Sequence, residues 1–371
     1  MKQIVIFGAK SIALGACLAI KRLYPEYEVT GFMVSSLSGN ESSLCGLPVK
    51  EINCFKDKNI WILIATPEDI QGEIERMLKG KGFQNIICLD SGKESALMGR
   101  YFESIGKFLP LKGKIPPAAA ENDSLTDKRM ALKQACGFPE SIEIYMAKFH
   151  KDKPLKNDYR IPDRVYPIQV GAALTDKKIS VITDDTGENI SSKNVNYCEL
   201  TALYWMWKNR LQEEKGRPYL GLFHYRRFLD LGDEELLCME KEDVDVVLPY
   251  PTVHEPDISE HHSRYLAESD WEAMLKALEE LQPAYARDFP DILKQPYLYN
   301  YNIIIAKREI LRDYCKWLFP ILERTEELSA PKGWERADRY IGYLGENLLT
   351  LYFLYNAEKW KIRHAGRKML I

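Results

Sequence analysis

Long hydrophobic runs are missing from this sequence. No apolar stretch in its 371 residues reaches the length that crosses a bilayer as a helix. The first twenty residues are mildly apolar, but Lys10 interrupts them and no cleavage-site pattern follows. They therefore read as a strand, a turn and a helix, not as a signal peptide. A surplus of one charge is missing too: the net charge of −3 sets up no global field that would recruit nucleic acid. The eight cysteines are scattered, with no CxxC and no paired metal-ligand spacing. Several sit inside apolar runs, which fits buried thiols in a reducing, cytoplasmic compartment.

What is present describes a globular α/β chain. At 46% hydrophobic and 28% charged residues, its composition and length allow two domains with a sizeable core. Seven Trp and 21 Tyr supply flat amphipathic rings, which line sugar-binding clefts and also fill cores. Residues 1–106 alternate strand and helix. Apolar strands fall at 4–9, 28–34, 59–66 and 84–90, with helices at 11–24, after Pro67, and from about 92. This predicts a small doubly wound, Rossmann-like sheet. Residues 107–140 hold adjacent prolines, an alanine triplet and an acidic-polar patch. They read as a linker running into a helix at about 124–136.

A second domain is expected over 141–371. Strands are predicted at 142–149, 166–174, 219–229, 243–249 and 301–309. Helices are predicted at 197–214, 269–281 (capped by Ser269), 309–327 and 339–360.

The turn "GAKSIALG" (8–15) stands where a dinucleotide fold carries G-x-G-x-x-G. Gly8 is present. The second glycine, which lets backbone approach a pyrophosphate, is replaced by Lys10. The second strand also ends without the usual ribose carboxylate. The turn is expected to have kept its shape and lost its ligand. The alternative, Lys10 reaching a phosphate, stays open.

Polar residues gather where strands of the second domain should end: His150, Gln169, Asp184, Asp185, Asn189, Glu199, His224, Arg226, Arg227, His261, His262 and Asn302. Ligands of open α/β sheets bind at the carboxyl ends of strands. The blocks "YPIQVGAAL", "DDTGENIS", "NYCELTALYWMWKN", "YLGLFHYRRFL", "YNIIIAKREIL" and "RYIGYLGENLL" occur in that order across about 141–360. Together they resemble a bacterial capsular and exopolysaccharide-synthesis family, long catalogued as a domain of unknown function and now regarded as glycosyltransferase-like.

The resemblance implies a GT-A-type fold that binds a nucleotide sugar, with UDP the expected nucleotide. It also implies a glycan or lipid-linked acceptor at the inner face of the membrane. Many such enzymes hold a divalent metal with Asp-x-Asp at the end of a central strand, but here that strand ends in His-Tyr-Arg-Arg. The "DVD" at 243–245 precedes a strand instead of following one. Guanidinium groups fit phosphate oxygens and carry permanent charge. Arg226 or Arg227 is therefore expected to face the donor diphosphate in place of a metal. On a continuous strand the two point opposite ways, and His224 shares a face with Arg226.

Glu346 in "GYLGEN" matches the family's usual position for a base toward the acceptor hydroxyl, and Asp338 is the neighbouring candidate. His261, His262 and Trp334 are candidates for the acceptor cleft. Each has a structural alternative: an ion pair with Arg336 or Arg339, a helix cap, an exposed loop, a core anchor. A metal-dependent version would use Mn or Mg on Asp184 and Asp185, or on Asp230. The basic tail with Trp360 reads either as a membrane contact or as a last strand with solvated lysines. Two other functions remain open: a nucleotide-sugar oxidoreductase using the first domain, and a non-catalytic sugar-nucleotide scaffold.

Overall fold

The computed structural model describes residues 1–112, 141–156, 159, 161–162, 164–213 and 216–371. The helix expected at 124–136 lies outside them. The described strands form two large sheets and a two-stranded ribbon.

The first sheet contains β1 (Lys2–Phe7), β2 (Tyr27–Val34), β3 (Ser43–Leu44), β4 (Leu47–Glu51), β5 (Trp61–Ile64) and β6 (Ile86–Cys88), in the order β3-β4-β2-β1-β5-β6. All neighbours are parallel except the β3–β4 hairpin. Alternate residues of β1 serve opposite faces: Ile4 and Ile6 enter one core cluster, Val5 and Phe7 another. A sheet buried on both sides needs such a continuous apolar strand. Helices α1 (Ser11–Leu23), α2 (Glu68–Gly80) and α3 (Ser91–Ser104) connect or follow the strands. The hairpin β3–β4 follows β2 in the chain, forms the sheet edge beyond it, and was not expected from sequence.

The second sheet contains β7 (Ile142–Phe149), β8 (Val165–Val170), β9 (Ile182–Thr183), β10 (Tyr219–His224), β11 (Arg227–Leu229), β12 (Val246–Pro249), β15 (Ile304–Lys307), β16 (Ile362–Ala365) and β17 (Arg367–Met369). β13 (Thr252–Val253) and β14 (Tyr297–Leu298) form the ribbon. The main order is β16-β12-β15-β10-β7-β8-β9, with β15 antiparallel to both neighbours. β11 pairs with β10 and β17. The chain winds outward from β7 through β8 to β9, then returns to β10 on the other side of β7. That reversal is a topological switch point, where a crevice opens at the strands' carboxyl ends.

The helices here are α4 (Asn194–Tyr197), α5 (Leu200–Asn209), α6 (Asp233–Lys241), α7 (Glu268–Leu281), α8 (Pro283–Leu293), α9 (Arg308–Leu328) and α10 (Tyr340–Tyr355). The larger core cluster joins one face of the sheet to α5, α7, α9 and α10, through residues such as Leu220, Met274, Leu318 and Leu348.

Four local expectations are corrected. The segment 219–229 is a hairpin, not one strand: Tyr225 and Arg226 form its turn, and His224 pairs with Arg227. The helix expected at 197–214 is broken at Cys198, whose φ of +51° no α-helix accommodates. The strand expected from 301 begins only at Ile304, because Tyr301 (φ +74°) and Asn302 (φ +47°) are both left-handed. Ser269 is no cap, since the helix starts at Glu268 after Ala267.

The tail forms β16 and β17. Trp360 packs against Tyr352 and Phe353, at ring separations of 5.4 and 5.7 Å, and is half-buried against the core. Among the described residues no helix is long and apolar enough to cross a membrane. Seven cysteines are described and none of them forms a disulfide; Cys17 and Cys315 are buried, while Cys54 is exposed.

Candidate active site

A cavity of about 720 Å³ opens at the switch point. The end of β7 and the residues after it, including Lys151, Asp152 and Lys153, form one wall. The β10–β11 hairpin supplies His224, Tyr225, Arg226 and Arg227. The break before α5 supplies Cys198 and Glu199, and α10 with its approach supplies Arg339, Tyr343 and Glu346.

The hairpin turn changes how the two arginines are presented. On a strand they would diverge; at a turn both reach the same cavity. The Arg226 guanidinium stands 3.8 Å from the Asp69 carboxylate of the first sheet's unit, and its buried Nε has no hydrogen-bond partner. The Arg227 guanidinium lies over the Tyr301 ring at 4.5 Å. His224, which faces Arg227 across the hairpin and does not share a strand face with Arg226, places Nε2 3.5 Å from Glu199. That separation is an ion-pair contact, too long for a good hydrogen bond, and Nε2 is otherwise unpartnered.

Two carboxylates respond oppositely to this environment. Glu199 is buried, and burial alone would raise its pKa. His224 and the Asn302 amide, which donates to it at 2.6 Å, hold it below the usual value instead. Glu346 is pushed up to about 8 by burial and by the Glu199 charge, against the opposing pull of the Tyr301 N–H (3.0 Å), Arg227 and Arg339. Paired groups driven apart in this way supply acid–base chemistry at neutral pH. Asp152 is also raised, chiefly by burial, although the Phe149 N–H donates to it at 2.7 Å.

Backbone strain collects here. Cys198, Tyr301, Asn302 and Arg339 (φ +68°) are four of the seven described non-glycine residues with positive φ. Such conformations cost about 1–3 kcal/mol each and persist only where surroundings enforce them. The break at Cys198 aims Glu199 inward, and the Tyr301 kink delivers its N–H to Glu346. The Arg339 Nε donates to the Cys198 Sγ at 3.2 Å. The kinks at Cys198, Tyr301 and Arg339 carry no glycine or asparagine, so sequence gave no signal of them. Tyr301, Arg339 and Cys198 were missed for that reason.

Other candidates lie elsewhere. Asp184 is fully buried and accepts from the Gly171 and Ala172 N–H groups at 2.9 and 3.1 Å and from Ser191 Oγ, so its acceptor capacity is used inside the fold. Gln169 ties down a loop, donating to Lys177 O at 2.7 Å and accepting from Ile179 N at 2.8 Å. Asn189 bonds within its own turn. Asp185 is exposed. His150 rests on Phe149, with ring centroids 4.3 Å apart, away from the cavity wall.

Asp338 pairs with Arg336, which also binds the buried Asp270 at 2.6 and 2.8 Å. It lies outside the cavity lining, and it is held by this ion pair and not as the cap of α10, whose N-cap is Arg339. His262 stacks on Trp271 at 4.2 Å and contacts Ser259 O and Glu268. His261 packs on His254 at 4.4 Å, and burial with nearby Arg264 lowers it to about 4. Trp334 is exposed.

The residues do not fit the alternative metal site. Asp184 is occupied by backbone, and Asp230 opens on a different cavity of about 220 Å³. Among the described residues no three His, Cys, Asp or Glu side chains gather to hold a metal ion. Asp243 and Asp245 of "DVD" both pair with Lys307 at 2.7 Å.

No curated protein matches the sequence. Among solved structures, the chain is similar to the apo form of WbbM, a bifunctional glycosyltransferase, at 27% identity and a TM-score of 0.52. The match covers 62% of this chain and 45% of that one, so this protein spans less than half of WbbM. The mannosyltransferase Ktr4p from S. cerevisiae matches over 99% of this chain and 70% of that one, at 10% identity and a TM-score of 0.27, too weak to carry an argument. A family model described as a domain of unknown function, DUF4422, matches residues 143–357, and the chain belongs to that family.

Proposed function

We propose that this protein is a glycosyltransferase whose nucleotide-sugar donor lies in the switch-point cavity. The observation that carries the reading is the meeting of Arg226, Arg227 and Arg339 with two oppositely shifted carboxylates in one large crevice. The resemblance to a bifunctional glycosyltransferase supports it. The donor diphosphate faces Arg226 and Arg227, whose fixed charge stabilises the negative charge that grows as the sugar leaves. The sugar C1–O bond to phosphate breaks and a C1–O bond to the acceptor forms. Glu346 takes the acceptor proton, and the nucleoside diphosphate departs.

UDP is the expected nucleotide, with a glycan or lipid-linked acceptor of capsule or exopolysaccharide synthesis. The organisation proposed is a Rossmann-like unit over 1–106, a linker over 107–140 and a GT-A-like transferase unit over 141–371. A thermal-shift screen of UDP-, GDP- and CMP-sugars, with Mn²⁺ or with EDTA, tests the reading. Stabilisation by one nucleotide class that survives chelation and is lost in Arg227→Ala is expected. Absolute metal dependence overturns the arginine role, and stabilisation by NAD alone overturns the transferase.

A further inference from the structure

The amino-terminal unit does not merely adjoin the second sheet; it is fastened to the strand that backs the candidate site. Gly366, between β16 and β17, lies so close to α3 that a Cβ there would stand 2.2 Å from the Ser95 Cβ. Ser95 Oγ donates to Arg367 O at 3.0 Å, and the Met369 N–H donates to Ser91 Oγ at 3.0 Å. β17 in turn pairs with β11, Met369 opposite Arg227 and Arg367 opposite Leu229. The register that presents Arg227 to the cavity is thus set against α3.

Side chains extend the same chain of contacts. The Arg367 guanidinium lies 3.7 Å from the Glu94 carboxylate of α3 and 4.7 Å from the centre of the Tyr301 ring. Arg227 stands 4.5 Å from that ring's centre as well. Tyr301 is therefore contacted by two guanidinium groups, one anchored by each unit, and its strained N–H holds Glu346. At the other edge of the hairpin Asp69, just inside α2, faces Arg226 at 3.8 Å.

We propose that Asp69 and Glu94 of the amino-terminal unit are positioning residues of the transferase site. Asp69 sets Arg226 for the donor diphosphate, and Glu94 sets Arg367, and through Tyr301 the carboxyl of Glu346. This rests on the transferase reading above. It makes the first unit part of the reaction centre and not an accessory. Neither residue reaches the cavity lining, so their effect runs through the arginines.

The charged and titratable groups around Glu346 give a readout that a merely structural contact would not move. Glu199 and Cys198 face it from the break before α5, Arg227 from β11, Arg367 from β17, Arg339 from the approach to α10, and Tyr265 from the 261–265 loop. Neutralising Glu94 leaves more of the Arg367 charge for Glu346 and moves its titration to lower pH.

The test uses the full chain, with donor binding by thermal shift and donor turnover followed as nucleoside diphosphate released. Asp69→Asn is expected to weaken donor binding by roughly tenfold and to lower saturated turnover as well, because the Arg226 it sets bears on the charge that grows as the diphosphate leaves. Glu94→Gln is expected to cut saturated turnover by roughly ten- to a hundredfold, the scale of a small misplacement at a reacting centre. It should shift the pH–rate limb downward, and Glu94→Asp should restore part of both. Wild-type binding and pH profiles in both variants overturn the proposal while leaving the transferase reading intact. Should Glu94→Gln not fold, the Asp69→Asn binding result decides alone. A wild-type protein that binds no nucleotide sugar removes both readings.

Discussion

The two large sheets offer the same architectural opportunity and use it differently. Each reverses its winding beside its first strand, β1 in one and β7 in the other. At β1 the sequence carries most of a recognisable phosphate turn. Gly8 (φ +122°) permits a close approach, since a Cβ there would lie 2.6 Å from Ala65 O. Yet the Lys10 ammonium is spent on Gly39 O at 2.5 Å, and the start of α1 borders a space of only about 30 Å³ shared with Tyr250 and Pro251 of the second unit. That volume admits little more than water. At β7 no familiar motif exists, but a crevice of about 720 Å³ gathers arginines, opposed carboxylates and strained backbone. A local pattern specifies a turn, whereas a site needs free space and convergent charge, which only the fold supplies.

The largest effect that would sharpen this contrast is expected at Glu346. Glu346→Gln should lower turnover by about two orders of magnitude or more while donor binding persists, as loss of a general base does. Because its carboxyl is raised to about 8 from an ordinary 4.5, wild-type turnover should climb with pH and level off above about 8. The same shift has a stability sign. Between 4.5 and 8 the folded protein holds a proton that the unfolded chain has released. The stabilisation from the protonated carboxyl is therefore fully present below 4.5 and lost as pH rises through 8. The melting temperature of Glu346→Gln relative to wild type should accordingly rise over that window. A flat pH–rate profile, or equal melting behaviour at both ends of the window, would show that Glu346 is ionised and plays another part.

Next in size is Asp184, which separates a fold-holding carboxylate from a reacting one. Asp184→Ala strips acceptors from two buried backbone N–H groups and Ser191, a loss on the order of 3 kcal/mol. Chemical denaturation should record it. Any surviving folded protein should bind donor like wild type, and loss of donor binding in that protein would restore Asp184 to the site.

These two carboxylates also mark how far the sequence could be read. The alternation of strands and helices was legible because apolar runs and turn residues are local, and the bounds of α1, α2 and α9 fell within about two residues of expectation. Asp184 and Glu199 looked alike as polar residues near strand or helix ends, and only the family resemblance set Glu346 apart. What distinguishes them is whether backbone N–H groups or an open crevice meets the carboxyl, and that depends on residues far away in sequence. The hairpin at Tyr225–Arg226 was illegible for a simpler reason. Neither residue has positive φ, so no glycine or asparagine was required to mark the turn. Reading through it as one strand separated two arginines that the fold brings to the same crevice.

The smallest expected effect is at Lys10, and it tests the other half of the comparison. Lys10→Ala removes one exposed amine and its bond to Gly39 O. Burial and nearby Arg264 lower its pKa, against the opposing pull of Glu41. Stability should stay within about 0.5 kcal/mol of wild type, as for most surface substitutions. Nucleotide-sugar affinity, measured by calorimetry, should not change under the proposal that the donor lies at the β10–β11 hairpin. If affinity for a dinucleotide or nucleotide sugar instead fell tenfold in Lys10→Ala while Arg227→Ala bound normally, the roles of the two switch points would be exchanged. The turn at β1 would then be a working phosphate site despite its missing glycine.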